Sequence, residues 1–95
     1  MRNYELLFIM DPAMDEEQRN AMIETIYGII NADGEAGEAD QWGSRKLAYE
    51  INKKKDGYYV LIPFKASPEL PKELDRRLKI SDNIMRHIIV CQDEQ

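Results

Sequence analysis

Apolar and polar residues alternate with a period of two at the start of the chain, which predicts a strand over residues 2 to 10. One set of alternate positions is the more apolar and is expected to face the core: Arg2, Tyr4, Leu6, Phe8 and Met10. The other set is mixed: Asn3, Glu5, Leu7 and Ile9. A mixed second face indicates a strand that lies between other strands.

The following segment changes to helical spacing, with apolar residues every three or four positions from Met22 to Ile30. Asp15 stands where a helix N-cap belongs, and Gln18 follows three residues later in the arrangement of a capping box. Gly34 is expected to end the helix in the left-handed conformation. These signals predict a helix between Asp15 and Gly34.

Alternation returns between residues 42 and 66 and predicts two strands joined by a hairpin. Gly43, beside Trp42, predicts a bulge or a tight bend in the first of them. The turn is expected over residues 53 to 57, where Asp56 and Gly57 accept positive φ. The core-facing side chains expected from these strands are Leu47, Tyr49, Ile51, Val60, Ile62 and Phe64.

A second helix and a last strand complete the pattern. Ser67 and Pro68 form an N-cap signal, and leucines follow at four-residue spacing from Leu70 to Leu78. Residues 84 to 91 are apolar enough for a strand, but their pattern does not tell which face points inward. Residues 93 to 95 are expected to be a frayed acidic tail.

The resulting order β-α-β-β-α-β predicts an α+β, ferredoxin-like fold, with a four-stranded antiparallel sheet and both helices on one face. We expect one domain over residues 1 to 92. The other face of the sheet stays open and would carry an apolar patch that water disfavours. Either a partner protein or the chain itself must cover this patch, whose members are Leu7, Ile9, Tyr59 and Leu61.

Composition adds a restriction on location. With 43% hydrophobic and 33% charged residues, the 95-residue chain is typical of a globular protein. It has no apolar stretch near the 18 residues that a membrane span needs, and its first apolar run, Leu6 to Met10, is too short for a signal peptide. We therefore expect a cytoplasmic protein.

Charge is distributed unevenly along the chain. Residues 1 to 40 contain two basic and ten acidic groups, whereas residues 41 to 90 contain eleven basic and six acidic groups. A local positive surface can contact phosphate even when the whole protein is acidic, but lysines in a turn are also commonly just solvated. The basic candidates are Arg45, Lys46, Lys53, Lys54 and Lys55, with Arg2 and Arg86 on the first and last strands.

Candidate catalytic chemistry is sparse. His87 is the one histidine, in mid-strand, and is expected to be structural or to contact RNA. Cys91 is the one cysteine and is expected to be buried. The loop of residues 10 to 14 lacks the glycine and arginine with which acyl-phosphate hydrolases of this fold hold phosphate. Asp56 and Tyr59 depart from the pattern of RNA-recognition domains, so base stacking on the open sheet is not expected. We expect no enzyme activity, no cofactor and no metal.

Four stretches in one register resemble the bacterial small-subunit ribosomal protein six family: "MRNYE" at 1–5, "WGSRKLAYEI" at 42–51, "GYY" at 57–59 and "NIMR" at 83–86. The resemblance implies a non-enzymatic ferredoxin-like domain of the ribosome. It further implies binding to small-subunit ribosomal RNA in the central domain, as a heterodimer with the small basic ribosomal protein numbered eighteen. Ser44 departs from the family, which often has a basic residue there.

The resemblance also implies which side chains face RNA: Arg2, Arg45, Lys46, Lys53, Lys54 and Arg86. We add Lys55 and His87 to this set. The expected contacts with the partner protein, Leu7, Ile9, Tyr59 and Leu61, rest on the alternation pattern alone. The alternative hypothesis is a homodimeric ferredoxin-like module that pairs through its open sheet and senses a small molecule.

Overall fold

In the computed structural model, which describes residues 1–51 and 53–93, a five-stranded antiparallel sheet carries two helices on one face. The elements in chain order are β1 (Arg2–Met10), α1 (Glu16–Asn31), β2 (Gly34–Ala36), β3 (Asp40–Ile51), β4 (Lys54–Ala66), α2 (Leu70–Lys79) and β5 (Ile84–Cys91). The predicted ferredoxin-like order is confirmed. The second predicted strand corresponds to β3, and the short strand β2 before it was not predicted, so the sheet has five strands rather than four.

Strands β1 and β4 lie at the centre of the sheet. Strand β5 pairs with the free side of β1, while β2 and β3 pair with successive parts of the same side of β4. The register aligns residues in rows across the sheet. Leu7 of β1 lies between Leu61 and Ile88, and the next row in the same orientation contains Tyr59, Ile9 and Arg86.

The core lies between the sheet and the two helices. The predicted core faces of β1 and β4 are confirmed, except that Arg2 at the strand end is exposed. Full burial of a large aliphatic or aromatic side chain stabilises the fold by about 1.5–3 kcal/mol. The buried residues contributed by β1, α1, β4 and α2 are Tyr4, Leu6, Phe8, Met10, Ile23, Ile26, Ile30, Val60, Ile62, Phe64, Ala66, Leu70, Leu74 and Leu78.

Helix α1 begins as predicted but ends differently. The Asp15 carboxylate accepts a hydrogen bond from the Gln18 backbone N–H (2.8 Å), and the Gln18 side-chain oxygen accepts one from the Asp15 backbone N–H (3.0 Å). The prediction that Gly34 ends the helix in a left-handed conformation is wrong, because the helix ends at Asn31 and its C-cap, Ala32, is right-handed. Gly34 instead begins β2, where an added Cβ would lie 2.2 Å from the Lys65 carbonyl oxygen.

The hairpin between β3 and β4 is tighter than the sequence indicated. Lys53 takes the left-handed conformation (φ 64°), and β4 begins at the next residue. The predicted turn at Asp56 and Gly57 is therefore wrong, since both residues lie within the strand. Gly57 is buried, and an added Cβ there would lie 2.3 Å from Ile9 Cγ2. The glycine serves close packing rather than a turn. Asn52 lies outside the described residues.

Three local expectations for the second half of the chain are also corrected. Ser67 is not an N-cap: its hydroxyl donates to Asp33 Oδ2 (2.6 Å), and α2 begins only after Glu69. Cys91 is exposed rather than buried. Asp93 is not frayed, because its carboxylate accepts hydrogen bonds from the Asn3 backbone N–H and Nδ2, both at 2.9 Å. Residues 94 and 95 of the predicted tail lie outside the described part.

Histidine 87 connects β5 to the helix layer. Its Nε2 lies 2.6 Å from Asp75 Oδ1 of α2, and only 10% of the His87 side chain is exposed. The hydrogen bond with His87, followed by the one with Lys79, lowers the pKa of Asp75 from its ordinary 3.8. The ionised form of Asp75 is therefore favoured in the folded protein.

The packing at Gly57 gives a stability prediction with an internal control. Gly57→Ala should lower the free energy of unfolding by about 1–3 kcal/mol, because its Cβ would overlap Ile9. Gly28→Ala, in the middle of α1, should raise it by about 0.5–1 kcal/mol, because nothing lies within 4 Å and alanine favours the helix. Urea unfolding of both variants measures these free energies. An unchanged free energy of unfolding for Gly57→Ala would contradict the close packing of Ile9 on Gly57.

The Asp75 interaction predicts a dependence of stability on acid. Because the folded-state pKa is the lower one, the stabilisation is present above the unfolded pKa near 3.8 and is lost as pH falls through the folded value. Asp75→Asn should therefore be less stable than the parent protein near neutral pH. The difference should vanish in strong acid. Urea unfolding at a series of pH values would contradict this if the difference stayed constant.

Candidate interaction surface

The face of the sheet away from the helices, called the open face below, collects the predicted apolar side chains. The register places these side chains in adjacent rows across β1 and β4, and Ile88 of β5 joins the row of Leu7. Ile9 is only 9% exposed, while the other three are half-buried. We call this group the apolar patch: Leu7, Ile9, Tyr59, Leu61 and Ile88.

The sequence missed the contribution of β5 to this patch. Ile88 and Val90 are 52% and 48% exposed, whereas Ile89 packs against the core and His87 pairs with α2. Both sets of alternate positions in this strand contain large aliphatic residues, so alternation alone could not assign the inward face. Pairing with β1 decides it, because Leu7 lies opposite Ile88.

Strand β3 covers part of the patch. Gly43 has positive φ (84°) at a shift in register, which confirms the predicted bulge or bend. The Trp42 ring stacks on Tyr59 with centroids 6.2 Å apart and planes 8° apart. Cδ2 of Leu47 and Cγ2 of Ile9 both lie near Gly57. The chain itself thus covers the Ile9 end of the patch and leaves Ile88 open.

The same strand explains two wrong expectations. Leu47 and Tyr49 were expected to face the core, but Leu47 lies with Ile9 on the open face and Tyr49 is 58% exposed. The pairing of β3 with β4 loses its regular register between Lys46 and Ile51. Just before that point the register is regular, and Arg45 lies opposite Gly57, which faces Ile9 on the open face. Alternation along β3 therefore turns Leu47 to the open face rather than to the core.

Six of the predicted basic residues lie at one end of the sheet. Arg45 and Lys46 pair with positions 57 and 56 near the start of β4, and the hairpin that carries Lys53 to Lys55 is at this end too. Arg86 joins them from β5, because it lies opposite Ile9 near the end of β1. We call this group the basic end: Arg45, Lys46, Lys53, Lys54, Lys55 and Arg86.

The other two predicted residues are not part of the basic end. Arg2 pairs with Ala66 at the opposite end of the sheet, and the strand from Arg2 to Ile9 spans about 23 Å. His87 faces α2 rather than the open face, as its bond with Asp75 requires. Arg2 and His87 were therefore predicted to contact RNA with the other six residues, but the structure does not place them beside those residues.

Two arginine side chains of the basic end lie over aromatic rings. The guanidinium carbon of Arg45 is 5.8 Å from the centroid of Trp42, and that of Arg86 is 5.5 Å from the centroid of Tyr49. Such contacts contribute about 0.5–1 kcal/mol at exposed sites. Lys54 is also engaged, with its Nζ 3.6 Å from Asp11 Oδ1. Sequence reasoning missed the aromatic pairs because they depend on the irregular course of β3.

The described residues give little support to other classes of site. Among residues 1–51 and 53–93, no group of three or more His, Cys, Asp or Glu side chains could hold a metal ion. Neither of the two described helices has the length and apolar character to cross a membrane. The open face and its basic end are therefore the surface with the clearest chemical character.

Comparison with known proteins identifies the family. The family model for ribosomal protein S6 matches residues 3–91. A protein of Clostridium novyi (strain NT) is 55% identical over 91 residues, covering 95% of this chain and 96% of the relative. One of Alkaliphilus metalliredigens (strain QYMF) is 52% identical over 90 residues, with the same coverage. Both are named small ribosomal subunit protein bS6.

A solved structure agrees in fold. The crystal structure of 30S ribosomal protein S6 from Thermotoga maritima superposes with a TM-score of 0.90 at 31% sequence identity, covering 96% of this chain and 87% of that one. The sequence matches and the superposition extend over nearly the whole chain. The protein therefore belongs to the ribosomal protein S6 family, as the resemblance of its motifs predicted.

Proposed function

We propose that this protein is a non-catalytic component of the small ribosomal subunit in the cytoplasm. In this proposal it binds small-subunit ribosomal RNA in the central domain, together with the small basic ribosomal protein numbered eighteen. Membership of the S6 family supports the ribosomal role. The observation that carries the finer proposal is that the apolar patch on the open face borders the basic end of the sheet.

The basic end is suited to RNA backbone. Its lysines and arginines reach the surface from a hairpin and two strands, so they can contact several phosphates without reading bases. The net charge of −5 and the ten acidic groups in residues 1 to 40 oppose approach in other orientations. We therefore expect the isolated protein to bind RNA weakly. Arg2 would contact a separate part of the RNA, and His87 is left out of the proposed contacts.

The apolar patch is suited to a protein partner. Ile88 and the neighbouring Val90 keep about half of their surface in water, next to the half-buried Leu7 and Leu61. Apolar area of this kind is stabilised when a partner removes it from water. A basic partner would also be attracted by the acidic first part of the chain.

The RNA contact gives a prediction about salt. Replacing Lys53 and Lys55 by Ala should reduce the slope of log affinity against log salt by about one to two, because each phosphate contact releases counterions. The measurement is a titration of central-domain RNA with the protein and its basic partner. Lys72→Ala with Lys79→Ala is the matched control, since it removes the same charge from α2, away from both the basic end and Arg2. Equal slopes for all three proteins would show that the hairpin is only solvated.

The partner contact gives a second prediction. Ile88→Thr with Val90→Thr should weaken binding to the basic partner about tenfold or more, because two apolar side chains no longer leave water. Threonine keeps the β-branched shape that suits a strand. Ile80→Thr is the control, because Ile80 is 72% exposed just beyond α2. Calorimetry measures the affinities, and an unchanged value for the double variant would contradict the proposal.

Sedimentation of the pure protein separates this proposal from the alternative of a homodimeric sensor module. The alternative requires a stable dimer formed through the open face, and Ile88→Thr with Val90→Thr would dissociate it. The present proposal expects a monomer that becomes a heterodimer only when the basic partner is added.

A further inference from the structure

Tyr49 is exposed to an unusual degree for an aromatic residue within a strand. It is 58% exposed and lies where the register of β3 with β4 is irregular. Its ring nevertheless has a defined neighbour, because the Arg86 guanidinium from β5 lies 5.5 Å from the ring centroid. Arg86 lies over one face of the ring, while more than half of the surface of the residue remains in contact with solvent.

The charge around Tyr49 favours an anionic ligand. Glu50 follows it directly in the chain, and Asp56 lies opposite Lys46. Asp11 adds a third carboxylate through its contact with Lys54, and the six cations of the basic end outnumber the three, which leaves a local excess of three positive charges. A polyanion that carries flat, uncharged rings would match both the cations of the basic end and the exposed ring of Tyr49.

We propose that Tyr49 stacks on an unpaired base of the bound RNA, with Arg86 holding the opposite face of its ring. The inference rests on the proposed RNA binding and specifies how that same surface contacts RNA. Stacking on aromatic side chains is a general way to bind unpaired bases, and an arginine on the ring adds a cation–π contact. This contact lies on the irregular segment of β3, not on the strand aromatics that RNA-recognition domains use.

Trp42 is less suited to this role. Its ring already stacks on Tyr59 and lies near Arg45, and it is 39% exposed. Trp42 is also the only tryptophan of the chain, so its fluorescence reports on the open face without being the proposed contact. The basic protein partner is a less fitting occupant for Tyr49, because the cations of the basic end, with Arg86 directly over the ring, would repel a basic surface.

The test compares Tyr49→Leu with Tyr49→Phe in binding of central-domain RNA by the protein and its basic partner. Leucine lacks a π-face, so Tyr49→Leu should lower affinity about tenfold, whereas Tyr49→Phe should retain it. Stacking releases no counterions, so the salt slope should stay the same in both variants. Thermal unfolding and Trp42 emission of the free variants check that the open face is intact.

Each other outcome has a distinct meaning. If Tyr49→Leu binds RNA as well as the parent while Lys53→Ala with Lys55→Ala still lowers the salt slope, the stacking inference is overturned and the proposed function stands. If Tyr49→Leu weakens binding to the basic partner without RNA, Tyr49 is a protein contact and the inference is again overturned. If the parent protein and its partner do not bind the RNA, both proposals fail.

Discussion

Two helices cover only one face of a sheet whose central strand is apolar on both faces. Strand β1 buries Leu6 and Phe8 under the helices and carries Leu7 and Ile9 on the other side. Apolar surface of this size is unfavourable in water. Part of it is covered by the irregular end of β3, through contacts that the absence of a side chain at Gly57 permits. The remainder, around Ile88, is available for another molecule.

The arrangement of charge follows from the same topology. The hairpin between β3 and β4, the end of β1 and the start of β5 meet at one end of the sheet, so basic residues distant in sequence become neighbours. The acidic residues of α1 lie on the opposite layer. A polyanion and an apolar partner could therefore occupy the open face side by side. The arginine–aromatic pairs lie at the basic end, where Arg86 is directly beside Ile9 of the patch.

The sequence predicted those parts of the fold where one local signal dominates. Alternation assigned the faces of β1 and β4, and the capping box at Asp15 assigned the start of α1. Signals that tertiary packing overrides were misleading: Gly34 suggested a helix stop and Gly57 a turn, but both glycines allow close approach between strands. The candidate surface was predictable in composition, since strand order brings the basic residues together. Two features depend on pairing between strands, which no local pattern contains. They are the choice of which face of β5 points inward and the course of β3 beyond Lys46.

The most direct test of the central claim is a methyl NMR spectrum of the labelled protein, recorded free, with the basic partner, and with partner and RNA. Ile88 and Leu61 report on the apolar patch, and Ile80 reports on the helix side. The account predicts that the partner shifts the signals of Ile88 and Leu61 and leaves Ile80 unchanged. Shifts at Ile80 with none at Ile88 and Leu61 would contradict it.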